Sequence, residues 1–199
     1  NMAYDLTKIK EECFIIDEEI NIIQNVLMET SSRGAKYHPT ITFFQDGKTR
    51  QVAVTILSQP TFSETLIRIA ETLHLYPCLR SSCAVVSLDS TIQNTDNQSF
   101  DCLQIFLISE YQGYIIQLPY TKNQDNTILW HTDQFQTENL LSTNFDGLTK
   151  DMINLFFTFT HLNAPTYTAH ECLSYLSYSG AGIAVFDSLK IAYYDAVYQ

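Results

Sequence analysis

Asp89 and Asp101 bracket a polar stretch that separates two apolar runs, Cys83–Leu88 and Cys102–Ile108. Carboxylates at neighbouring strand ends can bind a cation or share general acid–base work. A solvated loop needs the same residues for no chemical reason at all. His161, His170, Glu171 and Cys172 form the cluster of metal-ligand types. Successive helical residues point about 100° apart, so His170, Glu171 and Cys172 cannot all face one ion. Pro165 separates His161 from them. The spacing matches no metalloenzyme motif, and the expectation is no metal and no cofactor.

Cys78 and Cys83 flank Arg80, with His74 one turn earlier, the residue types of a thiolate nucleophile. Their separation is neither a redox nor a zinc spacing, and Pro77 breaks the helical geometry between His74 and Cys78. Ser179-Gly180-Ala181-Gly182 offers small residues that could approach a phosphate. The order there is helix, turn, strand, which reverses the dinucleotide fingerprint. A helix C-cap explains Gly180 better. No catalytic constellation stands out.

The elements that must position these residues begin with a helix from about Asp5 to Ser31, capped by Asp5 and stopped by Gly34. Leu6, Ile9, Cys13, Ile16, Ile20, Ile23 and Leu27 form a heptad seam on it. Phe14, Ile15, Ile22, Val26 and Met28 widen the stripe, as a helix lying across a sheet requires. The seam therefore predicts either intramolecular packing or a dimer.

Thr40–Gln45 and Arg50–Ile56 read as a hairpin, β-branched and aromatic, turning at Asp46-Gly47. A two-residue turn sets Phe43 opposite Arg50 and Ile41 opposite Val52. One face then carries Ile41, Phe43, Val52, Val54 and Ile56, with Arg50 at its edge. Thr61 and Glu64 form a capping box for a helix that Pro77 ends, with Glu64 and Arg68 paired one turn apart. Cys83–Leu88 and Cys102–Ile108 are buried strands joined by the polar loop Asp89–Ser99. Tyr114–Leu118 follows, with Pro119 ending it or marking an edge, and Thr127–His131 is a short strand. A helix resumes near Thr149, another runs from Thr168 to about Tyr178, Gly182–Phe186 is a last strand, and Asp187–Tyr198 reads as helical.

Together these predict a single α+β domain over residues 2–199, Asn1 ahead of Met2 reading as an added residue. Its mostly antiparallel sheet has five or six strands, with helices on at least one face, a long N-terminal helix and a helical C-terminal third.

A net charge of −11 argues against binding a nucleic-acid backbone. Residues 81–199 hold three basic and twelve acidic side chains, while 36–80 hold five and three, a polarity that serves solubility or a basic partner. Five cysteines cannot all pair within one chain. Read as reduced and structural, they predict a cytoplasmic protein. No apolar run reaches membrane-spanning length, and no secretory signal opens the chain. Twelve tyrosines, six of them beyond residue 166, hint at a binding surface.

The functional expectation is a non-enzymatic interaction or regulatory protein, with a protein partner or a second copy of itself. One alternative is a small hydrolase-like enzyme assembled from dispersed Asp89, Asp101, His161 and His170. The other is a small-ligand sensor.

Overall fold

The computed structural model describes residues 4–93, 96–145, 147–160 and 168–192. The predicted helix over Asp5–Ser31 is present as two, α1 (Thr7–Glu12) and α2 (Ile16–Ser32). The break has a cause far along the chain. The tip of the first hairpin sits on it, with the Phe14 amide donating to the Gly47 carbonyl at 2.9 Å. At the start, Asp5 Oδ1 accepts from the Thr7 amide at 2.9 Å. At the end, Gly34 takes φ +66° and Ala35 closes the helix on the Thr30 carbonyl at 3.0 Å.

That hairpin is β1 (Thr40–Gln45) and β2 (Thr49–Thr55). Its loop has three residues, Asp46-Gly47-Lys48, and a bulge at Phe43/Phe44 leaves Gln51 unpaired. These two extra residues shift the predicted register by two, so Phe43 lies opposite Val52 and Ile41 opposite Val54. A shift of two preserves the faces: Ile41, Phe43, Val52, Val54 and Ile56 share one core. Arg50 is the exception. It lies opposite Phe44 and pairs with Glu19 of α2 instead of edging the predicted face. Gln51, in the bulge, is held by donating to the Leu79 carbonyl at 2.9 Å and accepting from Ser81 at 2.7 Å.

Helix α3 (Phe62–Thr72) begins at Thr61, whose Oγ1 accepts the Glu64 amide at 3.1 Å. Arg68 reaches Glu71, at 3.1 Å, rather than the predicted Glu64, because the Tyr175 hydroxyl holds it on that side at 3.2 Å. A second short helix, α4 (Leu75–Cys78), follows and contains Pro77. Within a first turn the missing amide proton has no helical partner to lose.

Strands β3 (Cys83–Gln93) and β4 (Ser99–Ile108) run well into the stretch predicted as loop. Strand β5 (Gly113–Lys122) passes through Pro119. The proline is tolerated because β5's outer edge is shared. β7 (Gln136–Asn139) pairs up to Gln117 and β6 (Ile128–Trp130) from Tyr120, leaving Pro119 in the gap. Helices α5 (Gly147–Thr160) and α6 (Ala169–Tyr178) precede β8 (Gly182–Val185). Thr168 caps α6 through the Glu171 amide at 3.2 Å. The chain is helical again at 188–192; the rest of the predicted last helix lies outside the described residues.

Among the described residues the eight strands form one antiparallel sheet, ordered β6-β5-β4-β3-β1-β2-β8 with β7 also on β5. Five or six strands were expected; the strand with no counterpart in the sequence reading is β7, too polar to recognise. Helices cover both faces. The seam residues Ile9, Cys13, Ile16, Ile20, Ile23 and Leu27 pack on Val85, Leu103, Ile105 and Ile116. Helices α3 to α6 pack on the other face, over Val86, Leu88, Phe106 and Ile115. Among the described residues no helix is long and apolar enough to cross a membrane.

Candidate functional site

The sheet outruns its helices at one end. On the α3–α6 side, the last apolar row across it is Val86, Phe106 and Ile115, opposite one another in register. Phe106 meets Phe156 of α5 edge-on, with ring centroids 5.6 Å apart. The next row outward is Leu88, Gln104, Gln117 and Gln136, again in register across β3, β4, β5 and β7. Three adjacent strands thus present three carboxamides side by side. Gln136 donates to Gln117 Oε1 at 2.6 Å. Gln104 is 5% exposed, and among the described residues its carboxamide has no hydrogen-bond partner.

This row borders a concavity of about 1110 Å³. Its apolar walls are Phe62 at the start of α3, Met152 of α5 and Ile92 of β3. Ser90, Ser99 and Thr149 add hydroxyls and Gln93 a further carboxamide, while Asp89 borders it with its carboxylate on the other face of the sheet. No lysine or arginine lines it among the described residues. A carboxamide that opens on a cavity and is not used by the fold offers a donor and an acceptor to whatever fills that space.

Asp89 and Asp101 do come onto one face, diagonal across β3 and β4, but it is the α1–α2 side of the sheet. Asp89 Oδ1 accepts the Tyr120 hydroxyl at 2.6 Å. Burial pushes the Asp89 carboxyl above the usual carboxylate range, and the Asp101 charge adds to this. The Tyr120 hydrogen bond and Lys122 oppose it. Burial and the same carboxylate push the Tyr120 phenol far up. Tyr120 in turn packs edge-on against Trp130, with centroids 5.4 Å apart. The pair is a partly shielded acid with a phenol locked onto it.

The other sequence candidates stay apart. His161 lies outside the described residues. His170 is exposed on α6, Glu171 belongs to the helix start, and Cys172 is buried. Burial raises the Cys172 thiol to about 12. Among the described residues no three His, Cys, Asp or Glu side chains are placed to hold a metal ion. Cys78 and Cys83 belong to the cores on opposite faces of the sheet. Contact with the Cys13 thiol, together with burial, pushes Cys83 well above the usual thiol range. The Cys83 thiol is therefore not an activated nucleophile. Burial lowers the His74 imidazole, against the opposing Glu71 charge. Gly180 caps α6 at φ +92° with Ala181 bonded back to Leu176, which is the predicted C-cap.

Reading along the chain missed the carboxamide row. Gln104 and Gln117 stand out only as single polar residues inside the apolar runs Cys102–Ile108 and Tyr114–Leu118. A hairpin centred on Glu110-Tyr111-Gln112 aligns them, and that pairing was the available signal.

Comparison of the chain with protein-family models, with curated proteins and with solved structures finds no match.

Proposed function

We propose that the protein is a non-catalytic binding protein, a sensor or regulatory module, that takes a small neutral polar ligand in the concavity beside Gln104. The observation that supports it is Gln104, a residue only 5% exposed whose carboxamide faces this space without a partner among the described residues. The carboxamide faces the solvent of the concavity, so a ligand there can take over hydrogen bonds that the fold itself does not use. The volume, about 1110 Å³, slightly exceeds the roughly 300–1,000 Å³ of ordinary ligand pockets. An enzymatic reading finds less support, since the lining holds no histidine, cysteine or lysine among the described residues and Asp89 is engaged by Tyr120. A cytoplasmic setting belongs to this proposal. Its support is that all five cysteines are free and buried.

The test is a thermal-shift screen of neutral metabolites against the wild-type chain and Gln104→Leu. A compound that raises the melting temperature of the wild type and not of the variant supports the reading. A screen whose hits act equally on both proteins removes it.

A second reading is self-association through α2. The heptad seam is consumed by the sheet, so any pairing must use the outer stripe, where Ile22 and Val26 lie one turn apart and Phe14 is 67% exposed. Light scattering decides it: a monomer at high concentration, unchanged by Ile22→Glu, excludes the dimer.

A further inference from the structure

We infer that the ligand class is a neutral saccharide of more than one ring; the inference rests on the binding reading above and names what fills the site.

Charge excludes most other small ligands. Phosphates and carboxylates would meet no cation among the described lining residues, on a chain with net charge −11. A metal ion or an ammonium group would find no carboxylate turned toward it among the described lining residues, since Asp89 faces the other side of the sheet and accepts from Tyr120. Apolar ligands would displace the water that meets the Gln104 carboxamide and give it nothing in return. What remains is a neutral molecule dense in hydrogen-bonding groups.

Among neutral ligands, the pattern of groups favours hydroxyls over a planar base. Each carboxamide both donates and accepts, as each sugar hydroxyl does. Gln104, Gln117 and Gln136 recur about every 4.8 Å across the strands, close to the length of one linked pyranose ring. A single base would satisfy one carboxamide edge and leave the others. Ser90 and Thr149 extend the same chemistry on either side. Phe62, 44% exposed, supplies the apolar surface that the C–H face of a pyranose needs.

The experiment follows the side-chain NH₂ resonances of Gln104, Gln117 and Gln136 by NMR. The probes are maltotriose, cellotriose, xylotriose and N-acetylchitotriose at millimolar concentration, with adenosine, uridine and free glutamine as the other classes. At least one trisaccharide is expected to shift all three glutamines. Gln104→Leu and Phe62→Ala, each with an undisturbed backbone spectrum, are expected to weaken it about tenfold. If a nucleoside or the amino acid moves these resonances and no saccharide does, the class is overturned and the binding reading stands. If no probe of any class moves them, both fall. A saccharide that shifts other residues and binds Gln104→Leu equally well also overturns the assignment.

Discussion

Arg50 donates to Glu19 Oε2 through both Nε, at 2.9 Å, and a terminal nitrogen, at 2.7 Å, joining β2 to α2 across the edge of one core. The two ends differ in how they would survive alone. Arg50 retains Glu18 at 3.8 Å and stacks its guanidinium over Phe44 at 5.7 Å. Glu19 is 4% exposed, with no second cation near it in the described residues. Breaking a buried pair from one side costs about 3–5 kcal/mol. Arg50→Met is therefore expected to destabilise by about 3 kcal/mol, more than Glu19→Leu does. The double variant should lose less than Arg50→Met alone, because no charge is then stranded. A double-mutant cycle by urea denaturation measures all three, and an additive double variant would show that the pair is not coupled.

The hairpin tip makes the second prediction. Gly47 has φ +65°, and a Cβ there would lie 2.6 Å from the Glu12 carbonyl oxygen. Gly34, at φ +66°, has its nearest neighbour 4.0 Å away, so it carries the backbone strain without the clash. Gly47→Ala is expected to cost about 2–4 kcal/mol and Gly34→Ala about 1. Equal losses would mean that the α1–α2 break yields freely to the tip.

What was legible in the chain was what is local. Thr61 and Thr168 cap helices three residues from the amides they accept, and Gly34 and Gly180 end helices within one turn. The buried face of the first hairpin was legible despite a wrong register, because an error of two residues keeps every side chain on its side. Features made by distant contacts were not. The α1–α2 break is imposed by Gly47, and Pro119 is tolerated through a gap between two strands that arrive later. The carboxamide row exists only once β4, β5 and β7 are aligned. Asp89 and Asp101 were read as loop ends, but the strands continue past both and turn them away from the carboxamide row.

Asp89 gives a prediction in pH. Its folded carboxyl titrates above the ordinary value of 3.8, so in that window the folded state holds more proton than the unfolded state. Stability from this group is thus lost as pH rises through the window and is unaffected below it. Asp89→Asn removes the effect while leaving an oxygen for the Tyr120 hydroxyl. The variant should gain on the wild type from acid to neutral pH. Carboxyl ¹³C titration of Asp89 should show its midpoint falling in Asp101→Asn, which removes a like charge. In Tyr120→Phe, which removes a stabilising donor, the midpoint should rise. Either shift in the opposite sense would contradict the assigned causes.

Gln104 separates a binding residue from a structural one without any ligand in hand. If its carboxamide served the fold, replacing it would strand a partner and destabilise the protein. The geometry says otherwise. Gln104 has no partner among the described residues, while Gln117 accepts from Gln136 at 2.6 Å. Leucine has nearly the volume of glutamine and asks for no hydrogen bond. Gln104→Leu should therefore leave stability unchanged or raise it by about 1 kcal/mol. Gln117→Leu, which leaves the Gln136 donor unmet, should lower it by about 1 kcal/mol. Denaturant midpoints at constant m-value report both. A residue whose removal stabilises the fold is being kept for something other than the fold. A loss at Gln104 as large as that at Gln117 would return the row to the scaffold and empty the cavity of its argument.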